Sequence, residues 1–343
     1  MSSLANTLLL MLILSASVHA FNPAVSKDLV CQIINSNQYV CERHLVRTAD
    51  GYEITLHRIP PKNVTHSHSR QPFILMHGLL GSGADFVLPG RARSLGCILN
   101  DQGYDVWLPN ARGTTFSKRH IAMDSSMASF WNFTWHEIGY FDLPAVVDYV
   151  LETTGNKQVH YVAHSQGSTV FFVLLSERPE YNDKFVSASL LAPVAFLAHL
   201  RSPPLRIMAA EDEKLQGILA RLFETTPAGI SRKQFQHFGQ LIKSGKFQQF
   251  DYSSKSENLR HYKSQKPPEY NLCNVRVPLQ LFFGTRDLIL TKKDLEHLTR
   301  KLVNAKYKLH ELRGLNHIDL LYSTVAPRLI YKHIINNISH LFS

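Results

Sequence analysis

Strand-like and helix-like stretches alternate along this chain. Its strand-like runs are mostly continuous rather than alternating in polarity, and its chemistry-bearing side chains fall just after those runs end. Together these three observations predict an α/β fold with a mostly parallel central sheet covered by helices on both faces. Strands buried on both faces read as unbroken apolar runs, as Phe73-Ile74-Leu75-Met76 does; Val159–Val162 is a short apolar run, and Phe185–Leu191 and Leu279–Phe283 read as further strands. The chain is long enough for one large α/β domain with an insertion, or for two domains.

Residues 1–20 are read as a secretory signal rather than as part of the fold. Leu8–Leu14 is an apolar core of signal length, and Val18-His19-Ala20 ends in a small residue, so the mature chain is expected to start near Phe21. The n-region lacks Lys and Arg. No later segment is long and apolar enough for a membrane span. The formal charge of +10 all lies beyond residue 20, and it suits a basic secreted surface with affinity for anionic lipid or fatty-acid products. The basic residues are dispersed and carry no aromatic-basic signature, which excludes a nucleic-acid module. Asn63-Val64-Thr65, Asn132-Phe133-Thr134 and Asn337-Ile338-Ser339 are glycosylation sequons, so Asn63, Asn132 and Asn337 are candidate acceptors in a secreted chain. The four cysteines are Cys31, Cys41, Cys97 and Cys273, none in C-x-x-C spacing, so no zinc or redox motif is expected. Cys31 with Cys41 is the sequence-local pairing among three possible full pairings, and Cys97 and Cys273 sit in apolar contexts suited to free buried thiols. His66 and His68 flank Ser67 in a polar loop and read as exposed rather than metal-binding.

Glu42–Thr48 and Tyr52–Ile59 form a predicted hairpin about Ala49-Asp50-Gly51. Phe73–Met76 leads into the Gly-rich loop His77-Gly78-Leu79-Leu80-Gly81-Ser82-Gly83. Such a loop lets backbone approach a ligand closely, and without a G-K-[ST] it is a poor phosphate cradle. A helix is expected over Arg91–Gln102, closed by Gly103, then a strand over Asp105–Leu108. Asp142–Thr154 reads as a helix with Pro144 in its first turn and Gly155 after its end.

Val159–Val162 next passes through Ala163-His164-Ser165-Gln166-Gly167 into a helix with an inner stripe of Val170, Phe171, Leu174 and Leu175. This is the nucleophile-elbow pattern, a strand–serine–helix turn so sharp that only small residues fit two positions either side. It pushes the Ser165 hydroxyl above the sheet at a helix N-terminus, where free N–H groups suit an oxyanion. Phe185–Leu191 ends at Ala192-Pro193, and Leu279–Phe283 leads to Asp287. Thr291 and Asp294 read as a capping box opening a helix to Leu302. Tyr307–Glu311 leads to His317, and residues 325–338 read as a terminal helix. Ser165, Asp287 and His317 each follow a strand's C-terminal end, the edge where open α/β sheets bind ligands. Their chain order, Ser, Asp, His, is that of a hydrolase triad. Asp319 is a rival acid two residues from His317.

The chain resembles the acid lipase family, the gastric and lysosomal acid lipases and their insect relatives within the α/β-hydrolases. The stretches that carry the resemblance are Asp50-Gly51-Tyr52 with Arg58-Ile59-Pro60, His77-Gly78-Leu79-Leu80, Gly103–Leu108, Phe130-Trp131, and Glu137-Ile138 through Asp142–Ala145. They continue with His164–Gly167, Leu191–Ala195 and Asn316–Asp319, so they span nearly the whole mature chain. The resemblance implies an α/β-hydrolase fold and a neutral-lipid ester hydrolase, secreted or lysosomal, acting on triacylglycerol or sterol esters at a lipid–water interface without a cofactor or metal. It implies Ser165 as nucleophile, Asp287 and His317 as partners, and the N–H groups of Leu79 and Gln166 as oxyanion donors. Two departures stand out. Ala163 replaces the family's glycine, and the helical cap, here residues 196–273 between core segments 21–195 and 274–343, is shorter than the family's and lacks its cysteines. What remains of it carries Leu215, Ile218, Leu219, Leu222 and Phe223 at helical spacing, then Phe235, Phe238, Leu241, Ile242, Phe247 and Phe250. These stripes read as cap packing before direct acyl contact. The runner-up readings are an esterase of smaller soluble esters, a peptidase, and a non-catalytic lipid carrier on a hydrolase fold.

Overall fold

The structure is a computed structural model and describes residues 28–62, 71–203, 205 and 229–336. The expected signal segment, Asn63, Asn337, His66, His68 and the stripe from Leu215 to Phe223 lie outside the described residues.

Among the described residues nine strands form one sheet. These are β1 (Glu42–Arg47), β2 (Tyr52–Ile59), β3 (Phe73–Met76), β4 (Val106–Pro109), β5 (Arg119–His120), β6 (Val159–His164), β7 (Phe185–Leu191), β8 (Leu279–Gly284) and β9 (Tyr307–Leu312). The order is β1-β2-β4-β3-β6-β7-β8-β9, with β5 paired to β2. The strands from β4 to β9 along this path run parallel, and the hairpin β1–β2 joins β4 antiparallel. Every residue of β3, β4, β6 and β8 is buried, which is why these strands are mostly apolar, with His160, His164 and Gln280 as their buried polar side chains. The edge strand β9 alternates little and stays largely exposed. The order reverses at β3, whose chain successor β4 lies on one side and β6 on the other. The crevice above the strand ends at such a reversal is where α/β sheets bind ligands.

The covering helices are α1 (Leu29–Ser36), α2 (Leu95–Asp101), α3 (Leu143–Thr154), α4 (Gln166–Glu177), α5 (Arg232–Ser244), α6 (Lys255–Tyr262), α7 (Lys292–Lys301), α8 (Asp319–Tyr322) and α9 (Lys332–Asn336). Helix α2 starts four residues later than the expected Arg91. Gly90 takes φ +87° and accepts the Arg93 and Ser94 N–H groups in a turn, which holds the chain out of the helix until Leu95. Helix α3 begins one residue after Asp142 and ends at Gly155 with φ +67°, as its Pro and Gly placement predicts. The expected one-sided stripe on α4 is not what forms: Gln166 to Ser176 is buried on all sides. Helix α4 packs on β6 and is covered by the turn Ile138–Asp142, by α3 and by the short turns Pro179–Lys184 and Leu272–Asn274. At α7, Thr291 Oγ1 accepts the Asp294 N–H and donates to Asp294 Oδ2 at 2.8 Å, while the same carboxylate also takes the His199 N–H and Nδ1. The expected terminal helix over 325–338 is divided into a wide turn, Pro327–Tyr331, and α9.

Cys31 and Cys41 are disulfide-bonded, clasping α1 to the start of β1. Cys97 is a free buried thiol, as expected, but Cys273 is exposed. The apolar neighbours Leu272 and Val275 turn inward while the short turn Leu272–Asn274 presents Cys273 outward.

Candidate active site

The turn from β6 to α4 holds Ser165 at φ 51°, ψ −116°. A side-chain-bearing residue enters this region only when its surroundings enforce it. Here the Ser165 N–H donates to Leu191 O of β7 at 2.9 Å, and its carbonyl accepts from Ser168 at 2.9 Å. The packing around the turn is tight. A Cβ added at Gly167 would lie 2.6 Å from Met76 O, 3.0 Å from His77 O and 3.1 Å from Ala163 Cβ. Ala163 therefore fits, but it uses the space left by Gly167.

The loop after β3 passes directly over this turn. A Cβ at Gly78 would sit 3.2 Å from Ser165 Cβ and 3.0 Å from His164 Nδ1, so only glycine lets the backbone come this close. His77 fixes the loop's course. Its Nε2 accepts the Ala111 N–H at 3.0 Å, which makes Nδ1 the protonated nitrogen, and Nδ1–H donates to Gly78 O at 2.7 Å. Burial pushes the His77 imidazole down to about 4, so it stays neutral. Neither the Leu79 nor the Gln166 backbone N–H donates to a protein acceptor among the described residues. Both lie beside Ser165 in the chain or across the Gly78 contact.

Asp287 and His317 meet after β8 and β9. His317 Nδ1 and Asp287 Oδ2 are 2.7 Å apart, and the Asp287 side chain is fully buried. The other carboxylate oxygen accepts the Ile289 and Leu290 N–H groups at 2.7 and 3.0 Å. This fixes the carboxylate plane. Asp319 faces elsewhere: its Oδ2 accepts the Asn316 N–H at 2.8 Å, in the first turn of α8. Between the serine and the histidine loops stands His164, whose Nε2–H donates to His317 O at 3.0 Å while its ring lies 4.8 Å from that of His317. Burial, with His317 nearby, pushes the His164 imidazole down to about 3. Among the described residues no hydrogen bond joins Ser165 to His317. Such bonds are often long in a free enzyme and tighten with substrate.

Above the loop, Ile230 and Phe235 form a small apolar cluster, and Leu79 and Leu205 pack against both it and the main core. Sequence reading missed the contacts of His77 and His164, which depend on loops distant in the chain. Their one signal was that each flanks a motif residue. Asn132 is exposed, and its Oδ1 accepts from Lys233 Nζ at 3.0 Å.

Asp28, Cys31 and His57 lie close enough to suggest a metal site. However, the Cys31 sulfur is in the disulfide, and Asp28 Oδ2 is already 2.7 Å from His57 Nε2. No described helix is long and apolar enough to cross a membrane.

A model of the α/β-hydrolase fold matches residues 71–323, and one of the partial α/β-hydrolase lipase region matches residues 30–90. Lipase 1 of Drosophila melanogaster is 37% identical, with 89% of this chain and 78% of that protein aligned. Gastric triacylglycerol lipase of Bos taurus is 33% identical, with 92% of each chain aligned. The alignment with the Drosophila protein spans 352 residues yet takes in 89% of this chain, so the relative carries residues for which this chain has none. Among solved structures, an esterase of Pyrococcus furiosus superposes with a TM-score of 0.55 at 14% identity, covering 89% of this chain and 93% of its own. A bacterial membrane phospholipase A superposes at 0.54 and 16%, covering 99% and 100%. These two show the shared fold. The sheet, the elbow and relatives at a third or more identity across about nine tenths of the sequence agree: the chain belongs to the lipase family of the α/β-hydrolases.

Proposed function

We propose that the chain is a secretory-pathway lipase that hydrolyses neutral-lipid esters, triacylglycerol or sterol esters, through an acyl-enzyme. Family membership makes it a carboxylic ester hydrolase; the assignment of residues, substrate and route is our reading. The observation that carries it is the buried Asp287–His317 pair at 2.7 Å, set on the same strand-end edge as Ser165. Asp287 holds Nδ1–H of His317, which leaves Nε2 as the base. His317 takes the Ser165 proton as the oxygen attacks the ester carbonyl. The N–H groups of Leu79 and Gln166 receive the developing oxyanion, which they can do at once because Gly78 and Gly167 already hold the two backbones together. His317 then protonates the leaving alcohol, and water repeats the cycle on the acyl-enzyme. The apolar cluster of Leu79, Leu205, Ile230 and Phe235 forms the start of the acyl wall, on a cap built from residues 196–273. The secretory route is supported by the signal-like start and the Cys31–Cys41 disulfide, with Asn63, Asn132 and Asn337 as glycan acceptors.

Ser165→Ala should abolish fluorophosphonate labelling and lower turnover by about 10³-fold or more. Asp287→Asn should cripple turnover far more than Asp319→Asn. Labelling that survives Ser165→Ala, or the opposite ranking of the two acids, would overturn the assignment. A chain-length series of p-nitrophenyl esters separates the lipase from an esterase of small soluble esters.

A further inference from the structure

The residue after the serine reaches across to the cap. Gln166 is buried at the start of α4, and its Oε1 accepts from Gln234 Nε2 at 3.3 Å; Gln234 is buried too, in the first turn of α5. The Gln234 amide is not free to turn. Its Oε1 accepts the Ser231 N–H at 3.2 Å in the capping box of α5, so its Nε2 faces Gln166. Ser231 in turn donates from Oγ to Trp131 O at 2.5 Å. One line of hydrogen bonds therefore runs from the core at Trp131, through the first turn of α5, to the side chain of the residue whose N–H is proposed to bind the oxyanion.

We infer that Gln234 is a positioning residue: it aligns the Ser165–Gln166 peptide, and so makes turnover depend on α5 being docked. The inference rests on the oxyanion role proposed for Gln166. The physical basis is that the elbow is strained at φ 51° and a strained turn holds its geometry only while its surroundings over-determine it. On the buried side chain of Gln166, Gln234 supplies such a restraint. Its partner atoms are neutral, so its effect is on geometry rather than on charge.

The test uses the full chain and p-nitrophenyl butyrate, a short ester that makes little demand on the acyl wall. Gln234→Met should lower kcat about 3- to 10-fold with KM within about twofold, and slow fluorophosphonate reaction with Ser165 by a similar factor. In a Gln166→Met background, which keeps the Gln166 N–H, Gln234→Met should cause no further loss. Equal losses in the two backgrounds, or a rise in KM with kcat unchanged, would reduce Gln234 to cap packing and overturn the inference. If Gln234→Met does not fold, Gln234→Leu carries the same comparison, because it too removes the donor to Gln166 without adding a charge. Ser165→Ala run alongside separates the two readings. An active Ser165→Ala enzyme sinks the site assignment, whereas a dead one beside a fully active Gln234→Met sinks this inference alone.

Discussion

Gly167→Ala tests whether the elbow and the loop after β3 are as tightly coupled as their distances say. The new Cβ would meet Met76 O at 2.6 Å and His77 O at 3.0 Å. An ordinary carbon-to-carbonyl-oxygen approach is about 3.3–3.6 Å, so the strand end must retreat by about 0.7–1.0 Å. Neither oxygen belongs to a flexible side chain, and both lie where β3 runs into the Gly78–Leu79 loop. Overpacking of this kind costs about 1–3 kcal/mol of stability. The retreat also carries the Leu79 N–H away from Ser165, and a misplacement of about 1 Å in a catalytic geometry costs up to about 10²-fold. We therefore expect kcat on a short ester to fall about 10- to 100-fold, with a lower urea midpoint. Ala163→Gly in the same chain removes the 3.1 Å contact with Ala163 Cβ but leaves the carbonyl contacts, so the double variant should stay impaired. A Gly167→Ala enzyme with kcat within twofold of the parent and an unchanged midpoint would refute the reasoning.

Three further outcomes follow from the packing. Arg112 is almost fully buried between Asp142 and Asp50, at 2.6 Å from each, so Arg112→Met should cost about 3–5 kcal/mol at neutral pH. Burial raises the Asp142 carboxyl against the pull of Arg112; without the arginine the folded protein binds that proton more readily than the unfolded chain, so the loss should shrink as pH falls toward 5, and equal urea midpoint shifts at pH 7.5 and 5 would contradict this. Burial holds His77 and His160 down at about 4 and His164 and His237 at about 3. The unfolded chain takes these protons near 6.5, so their stabilisation is complete above pH 6.5 and lost as pH falls. Asp85, raised by burial to about 6, works the other way between about 6 and 4. The raised carboxyls, Asp142 and Glu177 included, offset only part of these imidazoles and of His310, which burial also holds at about 4, and a urea midpoint that is flat or higher at pH 4.5 than at pH 7 would be the contrary result. Replacing Cys31 and Cys41 by serine should cost about 2–3 kcal/mol from the short loop they close, read as a lower thermal midpoint than the parent's under oxidising conditions.

The sheet was legible in the sequence because its strands are buried on both faces, which leaves a continuous apolar run at Phe73–Met76 and a mostly apolar one at Leu279–Phe283. The elbow was legible because its steric demand is local: Ala163 and Gly167 flank Ser165 within one turn. Less legible was anything set by packing between distant loops. The grip of His77 on Ala111 and of His164 on the His317 carbonyl joins residues 34 and 153 positions apart, and nothing in either segment alone announces it. Helix α4 misled for a related reason. Its sequence is apolar nearly all round, and a one-sided stripe is a poor description of a helix covered on every face. At Arg91 the helical pattern was real, but Gly90 turned the chain before it could start.

The cap is where composition and geometry must be weighed together. On the proposed reading, the relative's extra residues fall in the insertion, and this chain keeps the part that touches the chemistry. Trp135 stacks on His237 of α5 with ring centroids 3.8 Å apart, and on Phe247 at 5.6 Å. Phe238, Leu241 and Phe247 are continuous with the main core, so α5 is anchored by burial rather than by the missing segment. Ile230 and Phe235 still cover Leu79, and Gln234 still reaches Gln166. The groups that stabilise the oxyanion should then work at full strength on a short ester, because their support is intact. Grip on a long acyl chain is different. It scales with apolar area buried, about 0.8 kcal/mol per methylene when burial is complete, and a smaller insertion offers less area beyond the first few carbons. The gain in kcat/KM per added methylene should accordingly be smaller here than in a relative with a longer insertion, while butyrate esters are cleaved well. Grafting the relative's insertion into this chain should steepen that slope. If the grafted and parent enzymes both fold and give the same slope, the insertion does not set acyl selectivity, and the wall at Leu79 and Phe235 must be doing so alone.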